Sequence, residues 1–297
     1  MHFTVNTTWA LARRVINSWL DDYAPSMGAA LAFYTMFSMA PLLLIVIAVA
    51  GLVFGEDAAR GEIAVQLRSL MGDGGANAIQ DLLAAAQKPV EGGIATAVGA
   101  VFLFLGATTV FGELQDALDR IWRVPARNKT AGWIALLRSR LLSFGIVLAI
   151  GFLLMVSLVA SAGLAAAGRW WNPVLGQWYV LAVLVNAVID FLLAAVMFAL
   201  IYKVMPRVRV LWKDVWIGAA VTALLFTLGK YLIGLYVGRS GVTSVFGAAG
   251  SLVGVLLWVY YSAQIFLIGA EFTWVYANDY GSRKQTSPAG QEPPMRS

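Results

Sequence analysis

SVFGAAGSLVGVLLWVYYSAQIFLIGAEFTWVYA, Ser244 to Ala277, is the stretch whose reading decides the fold. It exceeds the roughly 20 apolar residues that cross a bilayer as a helix, and few polar groups interrupt it, which predicts a membrane span. At about 100° per residue, Tyr260, Gln264 and Glu271 share one narrow stripe, and Gly247, Gly250 and Gly254 leave a stretch without bulky side chains before it. That face is built to meet protein. A bare glutamate against lipid is costly or takes up a proton, so Glu271 belongs in the bundle interior, a water-filled cavity or the cytoplasmic interface. Glu271 is therefore a site candidate. The structural alternative is that Gln264 and Glu271 only hydrogen-bond neighbouring helices, and the sequence leaves both readings open.

Composition sets the class. With 297 residues, 60% hydrophobic and 12% charged, the chain carries more apolar side chains than a soluble domain of this length buries, so it reads as a polytopic membrane protein. There is no cysteine and a single histidine, His2, which excludes a Cys/His zinc centre, a disulfide framework, a cysteine nucleophile and a Ser-His triad. No cofactor is expected. The net charge of +5 is assigned to cytoplasmic loops beside anionic lipid headgroups, with no nucleic-acid partner expected.

The pattern along the chain predicts an all-α, six-span helical bundle. In residues 1–27, Trp9, Ala12, Ile16, Trp19 and Leu20 fall on one helical face with Arg13 and Arg14 opposite, the pattern of an interfacial helix, and no signal-peptide cleavage site ends the segment. Pro25 is expected to break the chain. The first span, about Gly28 to Phe54, carries Tyr34 and Ser38 beside Pro41, where a kink is expected. Residues 55–92 read as an external helical hairpin split by Gly72, Asp73, Gly74 and Gly75. Later spans are expected near Gly93 to Gly112, Leu141 to Ala167, Tyr179 to Val204, Val215 to Val237 and in the opening stretch. Residues 1–281 form one membrane domain, and the Ser/Pro/Gln/Gly-rich 282–297 tail is expected to be disordered. Six spans place 15 of the 21 Lys and Arg residues on one side, which makes both termini cytoplasmic and the acidic 55–92 insertion external.

The second span continues into an amphipathic extension in which Glu113, Asp116, Asp119, Arg120 and Arg123 gather opposite an apolar face. The i, i+4 spacing pairs Asp116 with Arg120 and Asp119 with Arg123, while three close carboxylates also suit a hard divalent cation; the salt bridges are the favoured reading. Within the spans, Asp190, Lys230 and Glu271, with Tyr34 and Ser38, form the candidate polar site. Antiparallel neighbouring spans bring Asp190 and Lys230 to similar depth, which predicts an ion pair, direct or water-bridged.

Three blocks, GAALAFYTMFSMAPLLLIVIAVAGLVFG at 28–55, FGELQDALDRIWRV at 111–124 and the opening stretch at 244–277, occur in an order and spacing that resembles the YihY/BrkB family of bacterial inner-membrane proteins. The resemblance covers nearly the whole chain. It implies a six-span inner-membrane protein; some members have been labelled ribonuclease BN, others virulence or serum-resistance factors, and envelope-lipid transport has been suggested for some. The zinc-nuclease label fits badly where His2 is the only histidine, and a carboxylate-only nuclease would have to use Glu113, Asp116 and Asp119.

Two function classes follow. Ionisable residues inside spans point to transport or handling of an amphiphilic or anionic envelope component, and no nucleotide-binding loop supplies an ATPase. The alternative is a scaffold that presents its external hairpin and basic loops to partners.

Overall fold

The computed structural model describes residues 5–86, 109–125, 145, 178–239 and 250–284, and among these every regular element is a helix. In chain order they are α1 (Val5–Asp21), α2 (Ala24–Phe54), α3 (Glu56–Ala86), α4 (109–121), α5 (Trp178–Val204), α6 (Trp212–Arg239) and α7 (Gly250–Asp279). The stretches Ala24–Leu52, Ala187–Val204 and Leu252–Asp279 are long and apolar enough to cross a membrane. Most of the span expected at 93–112, the 141–167 span apart from residue 145, and the tail beyond 284 lie outside the described residues.

The break between α1 and α2 is at Tyr23, not Pro25. Tyr23 takes φ 57°, in the left-handed region, and Pro25 sits in the first turn of α2, where its missing N–H has no helical acceptor to lose. The helix then runs through Pro41 without interruption. At its far end Gly55 adopts φ 87° and donates its N–H to the Gly51 carbonyl at 2.9 Å, turning the chain directly into α3.

Helix α3 runs without a gap across Gly72 to Gly75, yet it is not straight. Arg60, Ile63, Ala64 and Leu67 line one cavity of about 200 Å³ together with Gln80, Leu83, Ala84 and Ile47 of α2. A straight helix would hold residues 60 and 84 about 36 Å apart, so the glycines let α3 bend back without ending it. Its buried residues Ala78, Ile79 and Leu83 join Ala32 and Ile47 of α2 and Val255 and Val259 of α7 in one apolar cluster.

Helix α7 is the hub, packing against α1, α2, α3 and α6. Half of its apolar window is buried, against 18% for α2 and 28% for α5. The close fit to α6 depends on glycines facing hydroxyl side chains. A Cβ on Gly269 would lie 2.0 Å from Thr222 Oγ1, and one on Gly218 would lie 1.8 Å from Thr273 Oγ1. Both threonines turn their hydroxyls back to the carbonyl four residues earlier, at 2.7 Å, so these polar atoms are satisfied within their own helices. Between these helices the buried Tyr202 hydroxyl donates to the Phe266 carbonyl at 2.8 Å and lies 3.0 Å from Thr222 Oγ1.

Leu184, Val188 and Leu192 on α5, and Leu224, Leu228 and Leu232 on α6, are exposed at i, i+4 spacing. These are outward apolar stripes of the kind lipid covers. On α1 the face holding Trp9, Ile16 and Leu20 is likewise exposed, while Leu11 and Val15 pack against Val275 of α7.

Candidate functional site

Glu271 is fully buried, and neither carboxylate oxygen has a hydrogen-bond partner. The groups acting on it come from two other elements: Ser18 on α1 with Asp22 just past its end, and Arg123 after α4. Ser18 is 6% exposed, and its Oγ, like Asp22 Oδ2, also lacks a partner. Two carboxylates and a hydroxyl thus converge within interaction range, yet Glu271 Oε1 and Oε2, Asp22 Oδ2 and Ser18 Oγ meet no partner at both hydrogen-bonding distance and angle, in a setting where an unpaired polar group is expensive.

Two turns away on the same stripe, Gln264 straddles the α1–α2 junction. Its Nε2 makes long contacts to the carbonyls of Ala24 at 3.5 Å and Pro25 at 3.4 Å, while its Oε1 is buried without a partner. Gly28 makes room for that amide, since a Cβ there would sit 1.9 Å from Nε2. Tyr260, on the same helix, is half-buried and packs on the cluster shared by α2, α3 and α7.

The second candidate cluster lies where α4 meets the α5–α6 connection. Asp119 has no exposed side-chain surface; its Oδ1 accepts the Arg207 backbone N–H at 2.8 Å and its Oδ2 accepts the guanidinium at 2.6 Å. The same guanidinium reaches Asp116 at 3.4 Å and Gln115 Oε1 at 3.2 Å, and Gln115 Nε2 donates to the Met205 carbonyl at 2.9 Å. The expected i, i+4 pairings are thereby corrected: the carboxylates bond a residue from a distant segment. Arg120 is exposed, and Arg123 turns back at φ 51° to lie 4.2 Å from the Trp274 ring. Arg207 provides a backbone donor as well as a guanidinium, a combination that i, i+4 neighbours on a helix do not offer. Burial raises the Asp119 carboxyl above its ordinary range, with the Arg207 backbone N–H and charge pulling it down. Half-buried Glu113 is raised as well, by burial first and then by the Asp116 charge.

Several further contacts close this end of the bundle. Arg14 pairs with Asp279 at 2.7 Å, Arg283 donates to the Arg209 carbonyl at 2.9 Å, and Lys203 to the Val210 carbonyl. Ser282 bonds buried Asp214 through both its hydroxyl and its backbone N–H. The first residues of the expected tail are therefore docked on α6.

Of the other candidates, Ser38 is buried, Tyr34 is 36% exposed and meets the edge of Phe33, and Asp190 and Lys230 are half-buried. Among the described residues no direct ion pair joins Asp190 to Lys230. Phe198 against Phe226 and Tyr202 against Thr222 fix the register. Continuing it places Lys230 level with Ala194, with Asp190 four residues, about 6 Å, farther along. Among the described residues no group of three His, Cys, Asp or Glu side chains is arranged to hold a metal ion.

The family described as Virulence factor BrkB matches residues 15–293. The chain belongs to the BrkB family. It is 32% identical to a UPF0761 membrane protein of Ralstonia nicotianae over 88% of its own length, but spans only 57% of that relative. A UPF0761 membrane protein of Cronobacter sakazakii is 29% identical over 90% of this chain and 88% of its own. One from Pseudomonas aeruginosa is 28% identical over 87% of this chain and 61% of its own. No solved structure matches.

In this BrkB-family chain, reading the sequence singled out Gln264 and Glu271 but missed the groups that face them. Ser18 and Asp22 continue the spacing of Leu11 and Val15, so the buried side of α1 was legible as a stripe of its own. The exposed Trp9, Ile16 and Leu20 side carried the stronger apolar signal. Arg207 had no such signal, because its partners are set by tertiary packing.

Proposed function

We propose that this BrkB-family membrane protein moves or handles an amphiphilic or anionic component of the bacterial envelope in the inner membrane, without an ATPase of its own. The observation that carries the reading is Glu271, wholly buried in an apolar helix of membrane-spanning length, with both oxygens free of hydrogen-bond partners. A purely structural glutamate would be expected to have its oxygens satisfied, and an ionisable group held this way marks a path or a coupling site.

The topology that goes with this function has six spans, both termini cytoplasmic and the 55–92 segment external. It is supported by the collection of Arg14, Arg123, Lys203, Arg207, Arg209 and Arg283 at one end of the bundle, where they meet one another's elements and suit anionic headgroups. No enzymatic role is assigned. Asp119, which a carboxylate-only nuclease would need for metal, is already bonded twice by Arg207.

The test is reconstitution of the full chain into vesicles carrying a fluorescent anionic phospholipid in one leaflet. Redistribution faster than in protein-free vesicles, slowed by Glu271→Gln, is expected. Equal rates with and without protein would favour a scaffold.

A further inference from the structure

We propose that Ser18, Asp22 and Glu271 form a binding site for a single small monovalent cation, an alkali-metal ion or a proton, between α1 and α7. This deepens the reading above by naming the ion that would drive it, and rests on that reading for its purpose, although binding itself can be measured without any transport.

The charge balance sets the valence. Asp22 and Glu271 carry two negative charges when ionised, and Arg123, the cation that acts on Glu271 among the described residues, carries one positive charge. A single further positive charge neutralises the group, whereas a divalent ion would leave an excess inside an apolar bundle. The donor set agrees. Every unpartnered atom offered by these three residues is oxygen: both Glu271 carboxylate oxygens, Asp22 Oδ2 and Ser18 Oγ. Oxygen is what hard cations take, and among the described residues no third carboxylate of the kind typical of divalent sites joins the cluster. Ser18 is the observation that separates this place from two acids that happen to be near each other. Its side chain is buried within reach of Glu271 and its hydroxyl has no partner at both hydrogen-bonding distance and angle, so all three groups have coordination to give.

The position suits exchange. Glu271 lies eight residues before the end of α7, about 12 Å from that terminus, while Asp22 is only half-buried and adjoins the exposed Tyr23 at the α1–α2 break. A cation entering past Asp22 is passed to a carboxylate that has no exposed surface. Gln264, on the same stripe and touching the first residues of α2, links the site to the helix that starts at that break.

The experiment is thermal unfolding of the full chain in lipid nanodiscs, with sodium chloride compared with choline chloride at equal ionic strength, over a pH series, for wild type, Glu271→Gln and Ser18→Ala. A wild-type melting temperature that rises with sodium, with the response lost in Glu271→Gln, identifies an alkali-metal ion. A rise on acidification that is indifferent to sodium and lost in Glu271→Gln identifies a proton. In the sodium case Ser18→Ala, which keeps both charges, should raise the half-saturating concentration roughly tenfold, the worth of one bond to a charged group. This second variant decides the matter if Glu271→Gln does not fold. The proposal is overturned if wild type responds to neither ion, or if Glu271→Gln, or in its place Ser18→Ala, responds as wild type does.

Discussion

Asp119 and Arg207, 88 positions apart, are joined twice: the carboxylate takes the arginine's backbone N–H at 2.8 Å and its guanidinium at 2.6 Å. The backbone bond fixes the course of the α5–α6 connection, and the charged bond fixes the side chain. Asp119→Asn strips the pair of its charge inside a buried site and should cost about 3 kcal/mol. Arg207→Met should cost a similar amount. The double variant should lose about 1 to 3 kcal/mol less than the sum, a coupling that equilibrium unfolding in mixed micelles would read. Additive losses would mean that the two residues do not depend on each other.

The contact of Gly269 with Thr222 makes a sharper steric test. Gly269→Ala places a methyl group 2.0 Å from Thr222 Oγ1 and 2.6 Å from the Tyr202 hydroxyl, and should destabilise the chain by about 1 to 3 kcal/mol. Thr222→Ala removes the nearer obstacle, so the double variant should regain part of the loss. Stability unchanged in Gly269→Ala would show that α6 and α7 are not packed this closely.

Glu113 supplies a pH test. Its folded pKa is raised from 4.5 by burial and by Asp116, so the folded state binds its proton more readily than the unfolded state. Folded chains therefore gain from this residue as pH falls through the raised value towards 4.5, and lose that gain as pH rises. The melting temperature of wild type relative to Glu113→Gln should accordingly increase between neutral and mildly acidic pH. A difference that stays flat, or shrinks on acidification, would contradict the burial of this carboxyl.

The absence of cysteine makes topology directly readable. Arg209→Cys should be shielded from a membrane-impermeant thiol reagent in intact cells and labelled after permeabilisation. Gly74→Cys should be labelled in intact cells from which the outer barrier has been removed. The reverse pattern would invert the assignment of the basic end to the cytoplasm.

The parts of the fold that were legible are those governed by local pattern. The apolar run of α7, with its Gln264 and Glu271 stripe turned to protein, follows from period and composition, as do α2 and α5. What escaped depended on partners remote in sequence. Gly218 and Gly269 carry the tight α6–α7 contact, although Gly247, Gly250 and Gly254 look more like a packing motif in the sequence. Local spacing offered Arg120 and Arg123 to the acids of α4, but Arg207 outcompeted them by donating from its backbone as well. Asp190 and Lys230 were matched by depth alone, and the register set by Tyr202 and Thr222 offsets them by four residues, with no direct ion pair between them among the described residues. Pro25 reads as a breaker in isolation, whereas in the first turn of α2 it is harmless.

The most direct test of the claim that this protein handles an envelope amphiphile is a density map of the full chain in nanodiscs cut from native membrane. The account predicts ordered acyl-chain or anionic headgroup density between helices of the bundle, reaching the Gln264 and Glu271 stripe. A bundle filled by protein side chains alone, with both Glu271 oxygens hydrogen-bonded to them, would contradict it.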